Sequence, residues 1–166
     1  MTLFVDRIPT PIGAFAILVE AGRIQAAGFV DGHARMARTL RARLADAVPV
    51  RDPDGLSSAI ARYFAGEPHA IEDLPVHTGG TPFQRRVWGA LRTIPSGETW
   101  SYGDLARSIG QPKAVRAVGA ANGSNPVGVV VPCHRVIGHD GRLTGYGGGL
   151  HRKRWLIDHE SRRAAE

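Results

Sequence analysis

The chain has 166 residues, a size suited to one domain or to one domain with a small appendage, and 43% hydrophobic against 22% charged residues describes a globular protein rather than a disordered one. A lone cysteine, Cys133, excludes an intramolecular disulfide and deprives any Cys/His zinc finger of its thiolates. The formal charge is +6, and it is unevenly placed: residues 1–80 carry 8 basic and 9 acidic side chains, residues 81–166 carry 13 and 6. Nineteen of the 21 basic residues are Arg, which suits bidentate phosphate contact and stacking on bases, although an Arg-rich proteome gives the same composition. No apolar run is long enough to span a bilayer, and MTLFVDRIPTPIG lacks the basic and apolar regions of a secretory signal, so the expectation is a cytoplasmic protein with no membrane partner.

In chain order, LFVDRI, AFAILVE and IQAAGFV are short apolar runs bounded by Gly or Pro, which predicts a three-stranded antiparallel meander. Residues 33–46 change to a helical period through Met36, Leu40 and Leu44, and a second helix carries Leu56, Ile60, Tyr63 and Phe64. The Pro- and Gly-containing stretch 66–80 reads as a linker. It divides a domain at 1–80 from one at 81–166.

Beyond it, Thr81-Pro82-Phe83-Gln84 combines an N-cap, proline at the first helical position and a capping-box glutamine, with Phe83, Val87, Leu91 and Ile94 on one face. Ser101 and Asp104 open another helix that Gly110 ends, and Pro112 opens the next, so 102–109 and 112–122 have the outline of a helix-turn-helix. The run AVRAVGAANG is almost all small residues around Arg116. That permits close approach to a partner surface, and it equally serves helix–helix packing. VGVVV at 127–131 predicts one buried extended segment, Asp140-Gly141 a turn, and YGGG at 146–149 a flexible connection. A last helix at about 150–160 brings Trp155 and Leu156 to the core before a frayed tail. The fold class expected is α+β, a small N-terminal antiparallel sheet with helices followed by a mostly helical domain.

A lone cysteine is usually an inert buried hydrophobe, but Cys133 is followed by His134 and Arg135, a base and a positive charge of the kind that activates a thiol. Neighbours on a regular strand point to opposite faces, so Cys133 and His134 cooperate only if Pro132 breaks the strand or a water bridges them. Residue order alone does not say which carboxylate orients the histidine. A thiol hydrolase has the same residue types and would differ by turning over many times. His33, His69, His77, His139 and His151 are scattered without metal-ligand spacing and read as surface residues.

PCHRVIG, preceded by RAVGAANGSNP and followed by GYGGG and a helix ending in His-Glu, resembles the O6-alkylguanine-DNA alkyltransferase family over residues 81 to about 160. The resemblance implies direct, single-turnover transfer of an alkyl group from O6 of guanine to Cys133, without cofactor or metal. It makes His134 the base acting through water, Glu160 its orienting carboxylate, Asn125 the residue that fixes the turn before the nucleophile, and Tyr102 a donor to the guanine ring. Arg116 would replace the extruded base, with Tyr102, Ala117, Ala121, Asn122 and Arg135 also on the DNA side; Val136, Tyr146, Gly147 and Gly148 would form the substrate pocket. The implied partner is duplex DNA containing O6-alkylguanine, bound through the minor groove by a monomer. Some relatives carry Ser where Gly147 stands and Pro where Gly128 stands, so only backbone donors remain at the first and the second leaves a roomier pocket. A non-catalytic damage-binding relative would share the fold but replace Cys133.

Overall fold

The protein is described here from a computed structural model covering the backbone of residues 1–32 and 34–165 and side chains as far as Arg162. His33 therefore lies outside the described residues. Two compact units emerge: Met1–Thr78 together with Pro126–Val130, and Gly79–Asn125 together with the chain from Val131 on.

The first unit is built on the expected meander, β1 (Phe4–Thr10), β2 (Gly13–Glu20) and β3 (Arg23–Phe29). Ala21 and Gly22, both at positive φ, make the two-residue turn between β2 and β3 that matches strand twist. A bulge between Leu18 and Val19 sets Gln25 out of register, and its amide caps the carbonyls of Glu20 and Arg23. Central strand β2 is apolar on both faces because both are covered. Ala16 and Leu18 pack with Leu40 and Leu44 of α1 (Arg35–Leu44), while Phe15 meets Phe29 and Phe64, the last from α2 (Leu56–Phe64), at ring separations of 5.2 and 5.9 Å.

Three features depart from the sequence expectation. A short strand β4 (Val48–Pro49) adds to β1 in parallel, giving the order β3-β2-β1-β4. The stretch read as a linker is largely packed: Ile71 is buried, and Pro75 and His77 bond through their backbones to Ile24. Residues 127–131, though buried, are not extended. Val127 bridges Ala27, and the chain then turns at Val129, whose φ of +69° is unusual for a β-branched residue, with Val130 N–H donating to Gly128 O at 2.8 Å. Segments 75–77 and 126–128 thus pair with the outer edge of β3, which an antiparallel meander alone leaves open. This pairing is why residues 126–130 belong with the first unit although they lie within the stretch assigned to a second domain.

In the second unit, α3 (Pro82–Leu91) starts with the full capping box: Thr81 Oγ1 accepts from Gln84 N–H at 3.1 Å and Gln84 Oε1 accepts from Thr81 N–H at 3.0 Å. Gly80 must be glycine, since φ is +85° and a Cβ there would sit 2.6 Å from the ring of Trp88. Trp88 in turn donates its indole N–H to Ala121 O at 2.8 Å, tying α3 to α5 (Val115–Gly123). A second capping box, Ser101 with Asp104, starts α4 (Tyr102–Ser108), and Gly110 at positive φ ends it. Helix α5 begins three residues later than expected, because 112–114 form a turn. Strand β5 (Trp100–Ser101) pairs in parallel with β6 (Val136–Ile137). Helix α6 (Leu150–Ala165) runs past the expected end near Glu160, so the expected frayed tail is helical as far as Ala165. Its Leu156 is buried, whereas Trp155 is half-buried and stacks on His159 at 4.5 Å instead of entering the core.

Candidate active site and nucleic-acid interface

The chain enters the site from α5 through a tight path. Asn125, buried, donates its side-chain amide to Val131 O at 2.7 Å. Pro132 (φ −83°, ψ 65°) then makes a three-residue turn closed by Cys133 N–H to Val131 O at 2.8 Å. The proline breaks the strand, and Cys133–Arg135 coil into a single 3-10 turn. Asn122 reaches the same turn from α5, its amide 3.4 Å from Cys133 O.

His134 is wholly buried, with Nε2 2.9 Å from Glu160 Oε2. A carboxylate accepts, so Nε2 carries a proton, and in the neutral ring Nδ1 is then the acceptor nitrogen. Nδ1 is buried and has no hydrogen-bond partner in the protein. Arg135 grips the same carboxylate, Nε to Oε1 and Nη2 to Oε2, both at 2.9 Å, and its Nη1 donates to Ile94 O at 2.7 Å. Burial alone would raise the pKa of Glu160. The charge and hydrogen bond of His134, then those of Arg135, outweigh it and hold the carboxyl far below the usual carboxylate range.

Cys133 itself is half-buried. Burial pushes its thiol up, and a hydrogen bond from Asn125 together with the charge of Lys153 pull downward without cancelling that effect. Lys153 escapes a reading of the sequence by motif, yet its side chain is wholly buried and its Nζ donates to Thr144 O at 2.6 Å. Burial lowers its pKa to about 8, opposed by the negative charge of Cys133. The signal was present: Lys153, Leu156 and Glu160 are spaced three and four apart, so all three lie on the inward stripe of α6.

Tyr146 sets its ring edge-on to His134 with centroids 6.5 Å apart, and burial followed by the charges of Cys133 and Glu160 pushes its phenol well above its ordinary value. Gly149 N–H closes a turn onto Tyr146 O, and Arg152 donates to Gly148 O at 3.2 Å, so the segment holding Gly147 and Gly148 is tethered rather than open coil. Val136 is buried and donates its N–H back to Cys133 O. Tyr102, at the start of α4, is half-buried and its Oη lies 3.0 Å from Thr144 Oγ1.

The outward face of α5 differs from the expectation. Arg116 and Ala117 are exposed, and so are Ala120 and Gly123, which continue the same face at helical spacing. Ala121 and Asn122, expected on the DNA side, instead point inward, one with its carbonyl on Trp88 and the other against Cys133, and both are buried. Arg135, also expected on the DNA side, is likewise buried and committed to Glu160 and Ile94. Of the histidines read as surface residues, His69, His77, His139 and His151 are exposed. Among the described residues no cluster of three or more His, Cys, Asp or Glu could hold a metal, and no helix is long and apolar enough to cross a membrane.

Residues 82–162 match the family model described as the DNA-binding domain of 6-O-methylguanine DNA methyltransferase. A methylated-DNA--protein-cysteine methyltransferase of Shigella flexneri is 47% identical over an alignment covering 96% of each chain. The chain belongs to this methyltransferase family. The relation extends to structure: the Mycobacterium tuberculosis O6-methylguanine methyltransferase superposes with a TM-score of 0.80 at 40% identity, over 98% of this chain and 93% of that one. The M. tuberculosis protein solved in complex with DNA gives 0.82 at 40% identity over 96% and 94%. Family membership makes the basic half at 81–166, net +7, which contains the residues 82–162 that match the DNA-binding model, the nucleic-acid-binding part of the chain.

Proposed function

We propose that this protein repairs DNA directly, taking an alkyl group from O6 of guanine in duplex DNA onto Cys133 Sγ in a reaction each molecule performs once. The observation that carries the reading is the imidazole of His134, wholly buried beside Cys133 in sequence, with Nε2 fixed on Glu160 and Nδ1 left as an unpartnered acceptor. In the reaction Nδ1 takes the thiol proton through a water. Thiolate then attacks the methyl carbon, an S–C bond forms as the O6–C bond breaks, and the electron pair leaves with guanine, which is protonated. The net change is S–H and O6–CH3 to S–CH3 and guanine.

Glu160 keeps its charge at neutral pH and stabilises the imidazolium that forms. Lys153 supports the thiolate electrostatically, offsetting part of the burial that raises the thiol. Tyr102 donates to the guanine ring as negative charge develops there, and Tyr146, Gly147, Gly148 and Val136 wall the pocket. Only backbone donors face O6 at Gly147.

An O6 methyl in a stacked base cannot present its carbon to a sulfur in a compact pocket, so the nucleotide is flipped out. Arg116 enters the stack in its place, and Ala117, Ala120 and Gly123, lacking bulk, let α5 lie close against the minor groove of the duplex, with α4 and α5 acting as a helix-turn-helix. No built-in route hydrolyses a thioether, so a monomer is consumed with each lesion.

The test is intact mass and peptide mapping after incubation with a duplex containing O6-methylguanine. One methyl on the Cys133 peptide, and repair that stops at one equivalent, is expected. Multiple turnovers without a stable adduct would mark a thiol hydrolase, and binding without a mass change would mark a damage-recognition protein.

A further inference from the structure

Thr144 belongs to no part of the site as read from sequence, yet it touches both Tyr102 and Lys153. Its carbonyl accepts from the buried ammonium of Lys153 at 2.6 Å, which pins the backbone of an otherwise exposed segment from the inside. Its hydroxyl lies 3.0 Å from Tyr102 Oη. At the other end Tyr102 is held by the first turn of α4, where the Ser101–Asp104 capping box and the β5–β6 pairing fix its backbone. Its ring passes beside Gly119 of α5, where even an added Cβ would stand 3.7 Å from Cδ1. Backbone and phenol oxygen are thus located from two sides, by α4 and by Thr144, while Gly119 leaves the ring room on the side of α5.

We propose that Thr144 is a positioning residue for Tyr102, its hydroxyl orienting and polarising the phenol that donates to the guanine. The inference rests on the role given to Tyr102 above. A phenol both accepts and donates, so Thr144 O–H donates to Tyr102 Oη while the Tyr102 O–H points onward to a ring nitrogen of the flipped base. Donation into the phenol oxygen makes its own O–H a stronger donor, and the pair therefore contributes most as negative charge gathers on the leaving guanine. The Thr144–Tyr102 bond is exposed, so its worth to the stability of the free protein is small.

The experiment is a double-mutant cycle on the single-turnover rate with methylated duplex at saturating protein, with duplex affinity measured separately. Thr144→Val removes the hydroxyl at nearly constant shape, and the transfer rate is expected to fall by about threefold to tenfold, the scale of one hydrogen bond. Affinity for undamaged duplex and the unfolding midpoint should stay unchanged. Thr144→Ser should restore the rate, and in a Tyr102→Phe background Thr144→Val should cost nothing further. Wild-type transfer by Thr144→Val alongside a slow Tyr102→Phe overturns the positioning role and leaves Tyr102 in place. An equal loss from Thr144→Val in both backgrounds overturns it as well, by making the residue merely structural. Wild-type transfer by Tyr102→Phe instead removes the underlying role of Tyr102, a result distinct from the other two.

Discussion

Arg135 and Glu160 form a two-pronged ion pair in the interior of the second unit, Nε to Oε1 and Nη2 to Oε2, with both distances 2.9 Å and both side chains buried. The carboxylate that orients His134 is therefore itself oriented. A single hydrogen bond from His134 would leave Glu160 free to rotate about its last torsion; the guanidinium fork removes that freedom and anchors it to the turn that follows α3 through Ile94 O.

Removing one partner of such a pair leaves a buried charge uncompensated. Arg135→Ala should therefore cost on the order of 3–5 kcal/mol in unfolding free energy, read by chemical denaturation. Its duplex affinity, measured on the folded fraction, should keep the wild-type dependence on salt, because the guanidinium is buried and already spent on Glu160 and Ile94. A normal unfolding curve with a salt slope reduced by about one contact, roughly 0.9 in log–log units, would return Arg135 to the DNA surface.

Glu160 makes the same network pH-dependent, with a definite sign. Its folded pKa is depressed, so the stability it contributes is fully present above its unfolded value of about 4.3 and is lost as pH falls from there toward the folded value. Glu160→Gln should be less stable than wild type at pH 7, and the gap should close as the medium is acidified below about pH 4. Transfer should also slow at pH 7 and recover as the pH is raised, since hydroxide then performs the deprotonation. A fully folded Glu160→Gln transferring at the wild-type rate across pH 6–9 would remove Glu160 from the chemistry.

Cys133 reverses a natural inference from its neighbours. A cysteine beside His and Arg suggests a thiol below the ordinary free value, but Arg135 spends its charge on Glu160, and burial raises the thiol. Thiolate formation, followed by ultraviolet absorbance across pH in the free protein, should thus have a midpoint above that of a free cysteine at about 8.5. Lys153→Met, which keeps the apolar stem and removes the charge, should move the midpoint further up and slow transfer at neutral pH. A midpoint unchanged by Lys153→Met would confine Lys153 to holding Thr144. Cys133→Ala should abolish transfer and retain binding to the damaged duplex.

Local signals were legible in the sequence where local physics decides. The Thr81 and Ser101 capping boxes, the three strands of the meander and the inward stripe of α2 are all set within a few residues, and each stands as read. What sequence order could not carry is pairing at a distance. The Arg135–Glu160 fork spans 25 residues, Tyr102–Thr144 spans 42, and the return of 126–128 to Ala27 spans about a hundred. VGVVV illustrates the failure: its apolar character correctly marks burial, but a run of valines also suits an extended strand, and nothing within it announces the turn at Val129. Lys153 was hidden for the opposite reason, since a lysine is assumed to be solvated unless its place on a buried stripe is weighed.

Neighbouring alanines on α5 offer the sharpest test of which face meets DNA. Ala120 is exposed on the face of Arg116, while Ala121, one residue on and about 100° around the helix, is 3% exposed and gives its carbonyl to Trp88. Ala121→Leu inserts three carbons into a packed junction of α3 and α5 and should cost about 1–3 kcal/mol of stability. Ala120→Leu adds the same atoms to an exposed helical position, where leucine has nearly the helix propensity of alanine, so unfolding should shift by only a few tenths of a kcal/mol. Its effect should fall on the duplex: a leucine beside Arg116 holds α5 away from the groove floor and weakens binding, while reaction with free O6-methylguanine nucleoside, which needs no groove, proceeds at the wild-type rate. Arg116→Ala should show the complementary pattern, with near-normal duplex affinity but slow repair of a normally paired lesion. If Ala120→Leu binds duplex as well as wild type, the exposed face of α5 is not the surface that approaches DNA.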